Sequence, residues 1–443
     1  MIGPVLDGSP SKACGCALEF NVEDGNFLTD DFLRQLINVG EVDILVGLPT
    51  HNNAKTIRSI VQTIQNGLLR SFPRERAVII NADGGSRDGT PELVTAISIH
   101  DARPTPNPYA LRTLHSISTK YASNPDGGVA FRTILAAAEL LRAKACIVMS
   151  PESTNIESEW VSKLLRPISY DGFDLVTPTY RRPKFEGLLM TNLLYPMIRA
   201  LYGVRIREAH APEFGFSGRL GSQFLNQNGW NDGTVGIGTE LRFTLAAITG
   251  RYRVCQSFLG EKSQAERRSA DLVPALRQTV GALFSALEPG FSFWSRVTGS
   301  QPVLTTGPDQ EMLLERVRIN RKRLREMFSI GVAELESVYQ SILAPATLAE
   351  LQRIAHLREE EFRYSAELWV RTAYEFAAAY QKSVINRDHI IQAFAPLFRG
   401  RVFTFLVENR NSSMNDVEDN IEGLCVEFER LKPYLLQLWK SKE

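Results

Sequence analysis

Cysteine is scarce in this chain: five residues in 443, at Cys14, Cys16, Cys146, Cys255 and Cys425. Cys146 and Cys255 fall inside apolar runs and read as core residues. Cys14-Gly15-Cys16 is too close a spacing for an ordinary disulfide, and no second pair completes a zinc set. This usage fits a reducing compartment, and the expected location is cytoplasmic. Neither sign of charge is in excess, since Lys+Arg and Asp+Glu are both 50. No global field therefore draws the chain to nucleic acid or to an anionic membrane. The opening MIGPVLDGSPSK lacks the basic segment and apolar core of a signal peptide. No run is expected to cross a membrane. The most apolar candidate, Leu188–Ile198, is broken by Thr191, Asn192 and Pro196.

Apolar residues are plentiful, at 44%, so the chain can bury a sizeable core. The most informative stretch is 42–90. Asp43–Leu48 is mostly apolar and ends at Pro49. Asn52 or Asn53 can then cap a helix with apolar positions Ile57, Ile60, Val61, Ile64 and Leu68. Ala77–Ala82 is a second apolar run, closed by Asp83-Gly84-Gly85-Ser86. Strand, loop and helix repeated in this way build a parallel sheet, whose ligands sit at the carboxyl ends of its strands. Helix N-termini and loop amides at that edge suit phosphates.

Further strands are expected at Ala145–Ser150 and Asp174–Thr179, with an alanine-rich helix over Val129–Ala143. A short helix is expected near Asp30–Asn38. From about 266 the pattern turns helical. Helices are predicted at Leu272–Leu287, Met312–Phe328 and Glu367–Tyr380. Asp388 can cap another, which runs to Phe394 and is ended by Pro396. Val417–Phe428 and Tyr434–Trp439 close the chain. The expected organisation is a leader at 1–40, an α/β nucleotide-binding domain at 41–298, a linker near 299–308 and a helical domain at 309–443.

Several residues could carry chemistry. Asp83, at a strand end beside two glycines, can accept a hydrogen bond from a nucleobase or can bond its own turn. Ser150-Pro151-Glu152 ends a strand, and Glu152 could hold Mg2+ or Mn2+, or be a first-turn glutamate. Glu213 lies in a loop of aromatic and small residues, where it could bond sugar hydroxyls or cap the next turn. Tyr180-Arg181-Arg182-Pro183-Lys184 follows a strand and suits an anionic ligand, or is a solvated loop.

As an ordered set these residues resemble the GT-A type of nucleotide-sugar glycosyltransferases, in particular the glucosylglycerate synthase group and its phosphoglycerate-using relatives. LPTHNNAKTI (48–57) is similar to the opening nucleotide loop of the family, and NADGGSRDGT (81–90) to its second. The runs 159–167, 192–203, 214–218 and 255–262, and the helical tail at 367–376 and 431–435, are similar too. The resemblance implies a GDP- or UDP-hexose donor, a divalent cation, a small acid acceptor such as glycerate, and transfer with retention. It places Pro49, Thr50, Asn52, Asp83, Gly127 and Gly128 at the donor. Arg132 and Glu213 are placed at the chemistry, Tyr180, Arg181, Lys184, Thr191 and Lys262 at the acceptor, and Glu152 and Gln264 at the metal. A homodimer is compatible with the apolar C-terminal helices.

The sequence departs from the family where the metal sits. Ser150-Pro151-Glu152 stands for Asp-x-Asp, Asp126-Gly127-Gly128 lacks the loop lysine, and Gln264 stands for a histidine. Two functions follow as expectations: a hexosyltransferase, or a non-catalytic relative that binds nucleotide or a partner enzyme.

Overall fold

The computed structural model describes residues 28–96, 114–120, 127–153, 155–227, 230, 238–262, 272–307 and 319–440. Their centre is an eight-stranded sheet in the order β3-β2-β1-β4-β6-β5-β7-β8. The strands are β1 Ile44–Thr50, β2 Ala77–Asp83, β3 Leu114–Lys120, β4 Ala145–Val148, β5 Leu175–Arg181, β6 Phe214–Ser217, β7 Val254–Glu261 and β8 Thr305–Thr306. All pairings are parallel except those of β6, which runs antiparallel to β4 and to β5. The carboxyl ends of β1, β2, β4, β5 and β7 therefore share one edge.

The inner strands are apolar on both faces because helices cover both. β2 is buried at every position. Ile57, Ile60, Val61, Ile64 and Leu68 of the helix Ile57–Ser71 pack with Trp160, Val161, Leu164 and Leu165 of the helix Ser158–Ser169 on one side. The helix Gly127–Leu140 covers the other, with Ala136, Ala137 and Ala138 buried. Its approach is close enough that a Cβ on Gly47 of β1 would meet Ile134 at 2.6 Å. Small residues on the helix and a glycine on the strand are what permit that spacing.

Beyond the sheet the chain is largely helical, and one apolar core spans it. That core runs from Leu193 and Ile198 through Leu283 and Trp294 to Phe328, Trp369, Phe394, Phe428 and Trp439. The helices Tyr195–Tyr202 and Met414–Lys440 are tied by Arg199. Its side chain is 1% exposed and donates to Glu422 at 2.5 and 2.7 Å and to Glu429 at 2.8 Å. The architecture is thus the expected one, a mostly parallel α/β sheet followed by a helical C-terminal region.

Five local expectations change. Asn52 and Asn53 do not cap the helix at Ile57. Thr56 precedes it in helical conformation without a side-chain cap bond, and both asparagines organise the loop instead. The predicted helix at Met312 lies partly outside the described residues. The described helix is Arg321–Glu334, capped by Asn320, whose side chain accepts from the Arg323 amide at 3.1 Å. Pro396 does not end its helix, which runs from Arg387 to Glu408. Likewise one helix, Met414–Lys440, passes through Pro433. The helix Arg387–Glu408 is also long and apolar enough to cross a membrane, contrary to the sequence reading, and most of it is buried in the helical core.

Candidate active site

Two loops at the carboxyl ends of β1 and β2 are knitted into one unit. Thr50 Oγ1 donates to Asn81 Oδ1 at 2.7 Å and to Asp83 Oδ1 at 3.0 Å. The Asn52 amide donates to Ser86 Oγ at 2.8 Å, and Asn52 Oδ1 accepts from the Arg87 amide at 3.0 Å. The Asn53 amide donates to Thr90 Oγ1 and the Ala54 amide to Asp88 Oδ2, both at 2.9 Å. Asn52 holds a left-handed backbone, φ 56°, and Gly85 and Gly89 do the same at 81° and 85°. Asparagine and glycine are the residues that tolerate this conformation. Asp88 accepts from the Thr90 hydroxyl and amide and from Ala54, which lowers its carboxyl below the usual range.

Asp83 is fully buried. Its Oδ2 accepts from the Gly85 and Ser86 amides at 3.0 and 2.8 Å, and its Oδ1 accepts from Ser86 Oγ at 2.5 Å as well as from Thr50. Of the two roles open to it, the structure displays the turn aspartate. Pro49 lies within β1 beside Ala82 of β2. Gly127 and Gly128 begin the helix Gly127–Leu140. Arg132, on the same helix, places its guanidinium 5.6 Å from the centre of the Trp230 ring.

A second cluster lies around Glu213, which is fully buried. Ser153 Oγ donates to its Oε1 at 2.5 Å. Tyr180 Oη and Lys262 Nζ donate to its Oε2 at 2.6 and 2.9 Å. The Glu213 and Lys262 side chains are 0% and 1% exposed. Burial and then the Glu213 carboxylate push the Tyr180 phenol well above its usual range, so it stays a donor. The Lys262 ammonium also sits 4.8 Å from the centre of the Tyr180 ring. Glu213, expected at a ligand, is here bonded to protein groups on both carboxylate oxygens. It acts as an anchor that holds Tyr180 and Lys262 at the ends of β5 and β7.

Tyr180 forms part of the wall of a cavity of about 440 Å3 at the carboxyl ends of β5 and β7. Arg181, Lys184 and Thr191 line it as well, so four of the five acceptor positions converge there. Thr191 is set by a π-helical stretch, Met190–Leu194. Its Asn192 carbonyl accepts from Trp369 Nε1 at 2.8 Å, and Asn192 Oδ1 accepts from the buried Arg401 at 3.2 Å. Such a bulge redirects side chains within a helix. The opposite wall comes from the start of the helix Met414–Lys440, with Met414, Val417, Glu418 and Ile421.

The loop after β4 joins the two clusters. Thr56 Oγ1 donates to the Pro151 carbonyl at 2.7 Å, and Asn155 Nδ2 to the Glu261 carbonyl at 2.6 Å. With Ser153 on Glu213, a continuous hydrogen-bonded rim runs from the paired loops to the cavity wall. Ser153, Arg207, Glu208 and Glu418 went unnoticed in the sequence. They are single polar residues without motif spacing, and only the tertiary fold gathers them.

The donor set for a divalent cation does not fit among the described residues. No group of three His, Cys, Asp or Glu side chains converges there. Glu152 is exposed and is the one carboxylate of its motif, and Ser150 Oγ accepts from the Glu152 amide at 3.2 Å. Gln264 lies outside the described residues.

Sheet order and edge loops define a mostly parallel α/β protein whose strand ends gather their loops on one edge. No known family profile matches the chain, and no curated protein matches it. Solved structures similar to it include glucosyl-3-phosphoglycerate synthase from Mycobacterium tuberculosis in complex with Mg2+ and UDP. That match has 20% identity, covers 58% of this chain and 82% of the other, and has a TM-score of 0.41. The same enzyme with Mn2+, UDP-glucose and phosphoglyceric acid gives 19%, 59%, 83% and 0.37. A mycobacterial protein gives 20%, 59%, 78% and 0.40.

Proposed function

We propose that this chain is a glycosyltransferase that moves a hexose from a nucleoside diphosphate sugar to a small acid held in the cavity at β5 and β7. The observation that carries this reading is the continuous rim from the loops after β1 and β2 to that cavity. Open α/β sheets bind ligands along this edge, and the rim offers two adjoining compartments there. One is a knitted loop pair beside a helix start at Gly127, suited to a nucleotide. The other is lined by Arg181, Arg182, Lys184 and Arg207, by three glutamates, Glu186, Glu208 and Glu418, and by the hydroxyl residues Tyr180 and Thr191, a set whose cations suit an acid. Held side by side, donor and acceptor react as if within one molecule. Tyr180 and Lys262, anchored by Glu213, shape the boundary between the compartments.

The test is incubation of the chain with UDP- and GDP-hexoses and glycerate, with and without Mn2+, followed by mass spectrometry. A hexosyl-acid product is expected, and proton NMR of the first-formed anomer checks the expected retention. A second reading is favoured by one observation: the Asp83 and Glu213 carboxylates are both buried and bonded internally. If nucleotide binds by calorimetry and no hexose is transferred, the chain is a non-catalytic, nucleotide-binding relative.

A further inference from the structure

We infer that Lys184 is a positioning residue of the cavity at β5 and β7. Its ammonium holds the turn that precedes the helix Met414–Lys440, and so places the far wall of the cavity, rather than binding the acid itself. The effect on acid binding rests on the acceptor reading given above, and the effect on the wall does not.

Lys184 Nζ donates to the Ser412 carbonyl at 2.6 Å and to the Arg410 carbonyl at 3.4 Å. These acceptors lie 228 and 226 residues further along the chain. Bonds from Ser413, and then the nearby Lys184 ammonium, hold the Asp416 carboxyl below its usual range. An acid in the cavity would have to draw the ammonium away from these groups.

The turn and the start of the helix form one unit. Asn409 is fully buried, and its Oδ1 accepts from Asn420 Nδ2 at 2.7 Å. The Ser413 amide donates to Asp416 Oδ2 at 2.7 Å, and the Asp416 amide donates back to Ser413 Oγ at 3.2 Å. Any displacement of the turn therefore displaces Met414, Val417 and Glu418, which line the cavity.

Two other contacts hold this wall. Val417 and Ile421 pack with Tyr195 and Phe405, and Phe185 packs against that group. Apolar packing is non-directional, so it fixes how near the helix start comes and leaves its angle open. Arg207 pairs with Glu418, but their side chains are 36% and 48% exposed, and a pair this exposed restrains little. Directional restraint at the cavity thus falls to Lys184, whose bonds require alignment with two fixed carbonyls.

The experiment is hydrogen–deuterium exchange of the full chain, read on peptides covering 409–421, with calorimetric titration by glycerate in the presence and absence of UDP. Lys184→Met should speed exchange there about tenfold, the low end for a lost hydrogen bond from a charged group, and weaken glycerate by a similar factor. Lys184→Arg can still donate to both carbonyls and should exchange like the parent. Asn420→Ala frees the same unit from Asn409, and Asn420 does not line the cavity. It should weaken glycerate as well. Adding Lys184→Met to it should weaken glycerate little further, because both changes release one wall. Unchanged exchange in Lys184→Met overturns the inference. So do fully additive losses of glycerate affinity, which mean that the ammonium touches the acid. If exchange speeds as expected and the parent binds no glycerate, the inference stands and the acceptor reading falls. If exchange is unchanged and Lys184→Met still weakens glycerate, the reverse holds.

Discussion

Glu213 and Lys262 form a buried ion pair whose remaining hydrogen bonds are supplied by Ser153 and Tyr180. Removing one member of such a pair leaves a charge without its counterion in a dry site, at a cost of about 3–5 kcal/mol. Lys262→Met should lower unfolding stability by that order in denaturant titration. Glu213→Gln together with Lys262→Met should recover much of the loss, because the orphaned charge is gone. A loss below about 1 kcal/mol in the single variant would show that water reaches the pair. In the sequence Glu213 was visible as a carboxylate among aromatic residues. Its burial was not visible, because Ser153 and Lys262 lie 60 and 49 residues away.

Helices Arg321–Glu334 and Arg387–Glu408 show why element boundaries were harder to read than elements. Proline inside a helix removes a backbone bond and crowds the preceding turn, so Pro396 read as a stop. The ring is instead used for packing. A Cβ on Gly331 would lie 2.3 Å from Pro396 Cβ, and one on Gly400 would lie 2.4 Å from Phe328. Each helix presents a glycine where the other presents a bulky group. Gly331→Ala raises helix propensity, yet it should destabilise by about 1–3 kcal/mol through overpacking. Chemical denaturation checks the sign, and a stabilised variant would mean that these helices separate freely. The strands β1 and β2 were legible because an unbroken apolar run between turn residues leaves little choice. The loop asparagines misled because the same side chains serve caps and turns equally well.

At the scale of the whole molecule, the last helix closes the structure at several points. One is Lys432, whose ammonium donates to the Val297 carbonyl at 2.6 Å. Burial pulls its pKa down from 10.5 to about 8. Between those values the unfolded chain holds the proton that the folded chain has lost. Stability from this group therefore rises as pH climbs from about 8 toward 10.5, the sign required when the unfolded state binds more protons. The difference in unfolding free energy between the parent and Lys432→Met should shift toward the parent over that interval. A pH-independent difference would mean that Lys432 is solvated. The sheet and its edge could be read from the sequence because they follow from local runs. The cavity could not, since its walls are drawn from positions near 180, 207, 258, 305 and 418.

The Arg199 tie has a consequence for biosynthesis. Its partner Glu429 lies 230 residues further along the chain. At roughly 5–20 residues per second on the ribosome, Arg199 emerges about 12–46 s before the helix that neutralises it has been made. Through that interval the helix Tyr195–Tyr202 carries an unmatched cation next to Met197, Ile198 and Leu201, which are fully buried in the finished protein. A nascent chain at this stage presents an apolar surface marked by positive charge, the kind of segment that a chaperone acting during translation would hold until Met414–Lys440 arrives.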